Sequence, residues 1–206
     1  MLTHPTLDRL NALGLHGMAN AFVDIEATGE AASLGHAEWL ALLLEREASL
    51  RHDKRLATRL RYAKLRQQAC VEDIDYRTPR GLDRPLFAKL VEGRWIDDHA
   101  NLLICGPAGV GKSWLASALG HKACRDNRSV LYQRVPRLFD DLALARGDGR
   151  HPRLLRGLGR VDLLILDDWG LEPLDAGARH DLLEILEDRY GRSEEHTSEL
   201  QSPSMI

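Results

Sequence analysis

The sequence has few cysteines, no paired metal-binding histidines and no long apolar run. Its three cysteines, Cys70, Cys105 and Cys124, are an odd number and lack C-x-x-C spacing, which argues against a disulfide framework or a zinc site and favours a reducing compartment. The nine histidines contain no H-x-x-x-H pair. No stretch reaches the roughly 18 apolar residues of a membrane span, and the first residues lack a signal-peptide pattern. We therefore expect a cytoplasmic protein without a membrane partner.

The chain also lacks an overall excess of positive charge. Its formal net charge is −3, with 44% hydrophobic and 29% charged residues among 206, which is an ordinary globular composition. This length suits one mid-sized domain or two small ones. Any surface for nucleic acid must therefore be a local patch.

Residues 106–113 read GPAGVGKS and fit G-x-x-x-x-G-K-[ST], the phosphate-binding loop of P-loop nucleotidases. Glycines let the backbone curl around phosphates, and a helix N-terminus offers unpaired N–H groups to them. In this motif the lysine contacts the phosphates and the hydroxyl can ligate Mg²⁺. The residues predicted to bind the nucleotide are Gly106, Pro107, Ala108, Gly109, Val110, Gly111, Lys112, Ser113 and Trp114.

The context of this loop supports the prediction. Residues 101–105, NLLIC, form an apolar run suited to a buried parallel strand, and residues 114–119 have helical spacing. The competing dinucleotide fingerprint needs G-x-G-x-x-G, and Gly106, Gly109 and Gly111 have the wrong spacing for it. We predict a strand, a glycine loop and a helix that together bind ATP.

A second apolar run, residues 163–166, is followed by Asp167 and Asp168. This is the Walker B pattern, in which a strand carries acids to the edge of the sheet. We predict that Asp167 holds Mg²⁺ together with Ser113, and that Asp168 polarises the attacking water. Lys112 and Asp168 are thus the predicted catalytic residues. A merely polar loop entry is the alternative. It is disfavoured because the pair lies about 55 residues after the glycine loop and ends the other strand that looks strongly buried.

The alternation of apolar runs and helical segments predicts an α/β P-loop fold with a parallel sheet. Residues 1–69 have helical periodicity throughout and predict a helical N-terminal domain. Residues 70–98 form a connector, and residues 99–191 form the P-loop domain.

A basic stretch covers residues 51–66, with seven Lys and Arg against one acid, Asp53. Arginines at i,i+4 spacing repel each other mildly unless something neutralises them. A DNA backbone would do so with salt-sensitive affinity, whereas a solvated helix face or an acidic protein partner are the alternatives. The candidate DNA contacts are Arg51, Lys54, Arg55, Arg59 and Arg66.

With both motifs placed, the chain resembles the IstB-like ATP-binding proteins, helper ATPases of bacterial insertion sequences. The specific segments are YQRVPRLF (132–139), LLILDDWGLEPL (163–174) and LLEILEDRYG (182–191). The resemblance runs from the N-terminal helices to about residue 191. The family is similar to the DnaC helicase loaders of the AAA+ class.

The resemblance implies an ATPase that uses ATP and Mg²⁺, self-associates on DNA and works with a transposase. It also implies that the N-terminal helical domain binds DNA or a partner, which favours the basic stretch as a DNA contact. A DnaC-like helicase loader is one alternative function. A truncated remnant that binds ATP without hydrolysing it is another.

The last segment, residues 192–206, is polar and resembles the in-frame translation of a common sequencing-adapter oligonucleotide. We expect a non-native tail here, with a natural disordered tail as the alternative. Resemblance to the AAA+ fold implies a strand between the P-loop strand and the Walker B strand, and we expect that strand to be missing. The two motif strands would then lose their backbone partners. Our hypothesis is that this chain folds poorly and turns over little ATP.

Overall fold

The computed structural model describes residues 4–29, 34–77, 81–170 and 173–200, with only the backbone for residues 191–200. The last six residues of the predicted tail, 201–206, lie outside this part of the chain. The chain divides into an N-terminal unit, Met1–Thr58, and a C-terminal unit, Arg59–Ile206. The domain limits given above stay a prediction.

The N-terminal unit is helical, as predicted, and consists of α1 (Pro5–Ala12), α2 (His16–Thr28) and most of α3 (His36–Ala63). The helix α1 has proline in its first turn, where a missing N–H costs nothing. The helix α2 ends at Gly29, whose φ of 71° is the left-handed conformation of a helix C-cap. Because α3 keeps helical periodicity through Ala63, it crosses the boundary between the two units.

The core of the N-terminal unit is small. It consists of Met18, Ala21, Phe22, Ile25 and Leu43, with Leu10, Leu15 and Trp39 against it. Next to this core the buried carboxylate of Glu47 accepts hydrogen bonds from the backbone N–H of Gly17 at 2.6 Å and of Met18 at 3.2 Å. These N–H groups belong to the first turn of α2, so Glu47 caps one helix from another.

The C-terminal unit alternates helices with two strands. After a 3₁₀ turn, Val71–Asp73, its elements are α4 (Arg84–Glu92), α5 (Arg94–Asp97), α6 (Lys112–Arg125), β1 (Val130–Arg134), α7 (Val135–Gly147), α8 (His151–Arg160), β2 (Leu163–Asp167) and α9 (Ala176–Leu200). Its largest core cluster joins α7, α8 and α9 to β1: Leu131, Leu138, Leu142, Leu155, Leu158, Val161 and Ile185.

The sheet of the described residues consists of β1 and β2 in parallel. Its register pairs Val130 with Leu163 and Arg134 with Asp167. The predicted parallel α/β arrangement is therefore confirmed. Because both strands end at the same edge, the side chains at their carboxyl ends meet there.

The prediction of a buried strand at residues 101–105 is wrong. None of the described residues pairs with this segment as a strand. Leu103 is 86% exposed, and Cys105 is also exposed. A parallel strand forms its backbone hydrogen bonds with a neighbouring strand, and no described strand lies beside residues 101–105 to form them. The loss of a backbone partner was expected for this strand, but β2 keeps its pairing through β1.

Residues 151–160 form α8, whose proline lies in the first turn. The helix α9 continues to Leu200, beyond residue 191, where the P-loop domain was predicted to end. In the part of the chain that the structure describes, no helix combines the length and apolarity of a membrane span.

Candidate phosphate-binding site

The glycine loop leads directly into the helix α6. Gly109 and Gly111 have φ values of 81° and 95°. Residues with a Cβ rarely adopt this region of φ. Gly111 occupies the N-cap position, no side chain caps the helix, and its first turn has no acidic residue. The N–H groups of this helix end are therefore oriented toward the loop and available to an anion.

The Lys112 side chain lies back over this loop. Its ammonium donates to the backbone carbonyl oxygens of Gly106 at 2.9 Å and of Pro107 at 2.8 Å. These acceptors are neutral, so a phosphate oxygen would be a stronger partner for the same charge. The loop thus presents one lysine cation beside the helix N-terminus.

Asp167, at the end of β2, is held by several donors. It accepts hydrogen bonds from the Tyr132 hydroxyl and from Arg66 Nη1, the latter at 3.2 Å. Burial alone would raise the pKa of Asp167. Hydrogen bonds from Tyr132, Ser113 and Arg66 outweigh burial and lower that pKa below its ordinary value. Asp167 is therefore a carboxylate at neutral pH.

Tyr132 experiences the opposite effect. Burial, together with the neighbouring Asp167, raises its pKa to about 12. Its hydroxyl consequently stays protonated and donates to Asp167.

Asp168 has an unusual backbone. Its φ of 58° is left-handed, a conformation that Asp tolerates better than most residues and that is often found at functional sites. Its carboxylate accepts from Arg134 Nε and lies 3.8 Å from Arg66 Nη1. The left-handed turn places two successive carboxylates at the sheet edge, each with its own basic or phenolic partner.

A cavity of about 270 Å³ opens between the loop and the connector after α3. Its lining includes Arg66, Gly111, Lys112, Ser113 and Trp114. The structure thus brings together most of the predicted nucleotide residues. Trp114 is half-buried in the first turn of α6 and lines this space, while Pro107, Ala108 and Val110 belong to the loop itself.

The site offers oxygen ligands suited to Mg²⁺. The Ser113 hydroxyl contributes to lowering the pKa of the Asp167 carboxylate, so the two predicted ligands are neighbours. Within the described ranges no three His, Cys, Asp or Glu side chains cluster as a metal site. Mg²⁺ commonly uses one or two carboxylates with substrate phosphates and water, and the donors present fit that pattern.

The five candidate DNA contacts have different environments. Arg51 pairs with Glu47 at 2.6 Å, and Arg59 donates to the Cys124 carbonyl and to Asn127. Arg66 lines the cavity described above. Lys54 and Arg55 are exposed on α3, and neither the Lys54 ammonium nor the Arg55 guanidinium makes a hydrogen bond or ion pair with another described residue.

Sequence reasoning missed Tyr132, Arg134 and the position of Arg66. The first two were visible in principle, because residues two apart on a strand share a face and β1 ends beside Asp167. The partner of Arg66 is 101 residues away in sequence, and no local pattern reveals it.

With this geometry established, similarity to known proteins decides the family. The sequence profile of the IstB-like ATP binding protein family matches residues 8–201, almost the whole chain and ten residues beyond the point where we placed the end of the resemblance. The chain belongs to the IstB-like family.

Individual relatives agree with this assignment. A Sinorhizobium fredii protein named as the insertion sequence ATP-binding protein y4pL is 73% identical over 192 residues, 93% of this chain and 78% of the relative. The Pseudomonas fluorescens protein named for ATP binding in IS1162 is 50% identical over 204 residues, 98% of this chain and 88% of the relative. A Mycobacterium tuberculosis protein, Rv3427c, is named for ATP binding in an insertion sequence. It is 33% identical over 180 residues, which cover 87% of this chain and 72% of the relative.

Proposed function

We propose that this IstB-like protein binds ATP with Mg²⁺ and serves as the ATP-dependent helper of an insertion sequence. The observation that carries the proposal is the meeting of three features at one edge of the sheet. These are the uncapped N-terminus of α6, the Lys112 ammonium, and the Ser113–Asp167 pair. A triphosphate needs N–H donors, a cation and metal ligands at the same place.

Each residue has a distinct part in this proposal. The α6 N–H groups and Lys112 hold the phosphates, and Trp114 packs beside them at the start of the helix. Ser113 and Asp167 would hold Mg²⁺, which neutralises charge on the terminal phosphates when bound. The low pKa of Asp167 keeps this ligand ionised over the physiological range.

Asp168 is the proposed acid that orients the attacking water for hydrolysis. Its carboxylate is held by Arg134 at the end of β1. This contact fixes the direction of the carboxylate, and a fixed direction is what water positioning requires. We infer that Arg134 orients Asp168 and does not itself touch the nucleotide.

We further propose that the protein binds DNA and assembles with a transposase, self-associating as AAA+-like ATPases do. The names of the relatives support the setting, since each refers to an insertion sequence. The exposed Lys54 and Arg55 are the best placed of the basic residues for phosphate backbone contact. Arg51 and Arg59 already have intramolecular partners.

The proposed function is tested by measuring DNA binding with and without nucleotide. Fluorescence anisotropy of a labelled duplex should report tighter binding by the wild-type protein with ATP and Mg²⁺ than with EDTA. Lys112→Ala should lose this difference while keeping the nucleotide-independent binding. A capture experiment with an insertion-sequence transposase and a replicative helicase as competitor then separates the transposition helper from a helicase loader.

DNA binding that is identical with and without ATP would contradict ATP-dependent action on DNA. Capture of the helicase in preference to the transposase would contradict the transposition function but leave nucleotide binding intact.

A further inference from the structure

Arg66 lies in the connector that follows α3, inside the C-terminal unit. Its side chain is 44% exposed, so it can move without disrupting a packed core. One nitrogen, Nη1, lies 3.2 Å from the Asp167 carboxylate and 3.8 Å from that of Asp168. An arginine that was a candidate DNA contact by sequence therefore lies against the acids of the nucleotide site.

Arg66 lies where a phosphate-binding residue is expected. It lines the same cavity as Lys112 and Ser113. Its guanidinium also donates to the carboxylate of Asp167, which is itself a proposed metal ligand. In the proposed site Asp167 would hold Mg²⁺ and Lys112 the phosphates, and Arg66 contacts the first and lines the same cavity as the second.

The charges around Asp167 and Asp168 also favour phosphate binding by Arg66. Arg134 already donates a hydrogen bond to Asp168, and Tyr132 already donates one to Asp167. A divalent cation on Asp167 would repel a guanidinium from the carboxylates, while the terminal phosphate would attract it. Guanidinium N–H groups form a planar fork that fits phosphate oxygens better than an ammonium does.

We propose that Arg66 binds the terminal phosphate of ATP in this site, and that it is a nucleotide contact and not a DNA contact. This inference rests on the proposed ATP binding. Arg66 thus gives the site a second cation, which comes from the connector after α3 in the same chain. Arg66 consequently discriminates ATP from ADP.

The test compares nucleotide affinity in the full-length chain using fluorescent ATP and ADP analogues with Mg²⁺. Arg66→Ala should weaken ATP binding about tenfold, as expected for removal of one charged hydrogen bond, and should weaken ADP binding by less than twofold. Arg66→Lys should recover only part of the ATP affinity. Arg153→Ala, which replaces an exposed arginine of α8, is the matched control and should bind both nucleotides like the wild type.

Three results would overturn the inference. These are unchanged ATP affinity in Arg66→Ala, tighter ATP binding in this variant, or an equal loss for ATP and ADP. Thermal melts of each variant without nucleotide check folding, and Arg66→Gln replaces the alanine variant if that one unfolds. Failure of the wild-type chain to bind ATP would contradict the proposed function as well, whereas wild-type binding matched by Arg66→Ala would contradict only the role of Arg66.

Discussion

Arg66 and Asp167 are 101 residues apart in sequence, and a hydrogen bond of 3.2 Å joins the guanidinium of one to the carboxylate of the other. This contact links the connector that follows α3 to the acidic edge of the sheet. Tyr132 donates to the same carboxylate from the adjacent strand. Asp167 is therefore the residue at which the connector, the glycine loop and both strands meet.

Removal of the Tyr132 hydroxyl should lower the unfolding free energy at neutral pH and shift acid unfolding to higher pH. An ionised Asp167 with a lowered pKa stabilises the fold fully above its ordinary pKa of about 4, and this contribution is lost as the pH falls through the lower folded pKa. Tyr132→Phe removes one hydrogen bond that lowers this pKa. We expect a loss of about 1 kcal/mol in unfolding free energy at pH 7 and an acid-unfolding midpoint at higher pH.

Urea unfolding at pH 7 and acid titration followed by circular dichroism measure both effects. Tyr62→Phe, which removes an exposed hydroxyl, is the control and should match the wild type. Coinciding acid midpoints for the two phenylalanine variants would show that Tyr132 does not act on Asp167.

Gly17 is required where α2 passes close to α3. A Cβ at this position would lie 2.6 Å from the Glu47 Cα and 2.7 Å from the Arg46 carbonyl oxygen. Backbone atoms cannot yield as a side chain can, so we expect Gly17→Ala to lower the unfolding free energy of the N-terminal unit by about 1–3 kcal/mol. Thermal and urea unfolding give the value.

The same substitution at Gly157 provides the comparison. A Cβ there meets no atom within 4 Å, and alanine favours a helix interior over glycine by about 0.5–1 kcal/mol. Gly157→Ala should thus be neutral or slightly stabilising. Equal destabilisation by both variants would contradict the close approach at Gly17.

The features predicted from sequence are those that depend on local chemistry. The glycine loop needs left-handed residues and a helix start, and the Walker B strand needs an apolar run followed by acids. Each motif consists of consecutive residues, so it can be recognised from the sequence alone. The alternation of strands and helices predicts a parallel sheet, and the parallel pairing of β1 and β2 confirms it.

The features that the sequence did not reveal depend on distant partners. Residues 101–105 look like a strand, but strand formation needs a neighbour that the run itself cannot supply. The helix α8 begins with proline and contains two glycines, so it looks like a loop. It is stabilised by the burial of Leu155 and Leu158 against other elements. The position of Arg66 depends on residues more than a hundred positions away.

The exposed basic pair on α3 should account for DNA affinity that depends on salt. Removing one phosphate-binding cation lowers the slope of log affinity against log salt by about one. Lys54→Ala with Arg55→Ala should therefore weaken duplex binding and reduce this slope by about two. Anisotropy titrations between 50 and 200 mM salt, roughly the range over which such binding responds, measure it.

A charge-matched double variant separates a specific contact from net charge. Lys89→Ala with Arg153→Ala removes one exposed lysine and one exposed arginine of the C-terminal unit. It should keep the wild-type slope. The same reduction in both double variants would assign the effect to overall charge and contradict a contact through α3.

In our proposal the glycine loop and the Asp167 edge form one Mg²⁺-dependent ATP site. Equilibrium titration of a fluorescent ATP analogue into the wild-type chain, with Mg²⁺ and again with EDTA, tests this most directly. We expect saturable binding that weakens at least tenfold in EDTA and is abolished in Lys112→Ala, while Lys89→Ala binds like the wild type. Binding that is equal in wild type and Lys112→Ala, or no binding by the folded wild-type chain, would contradict it.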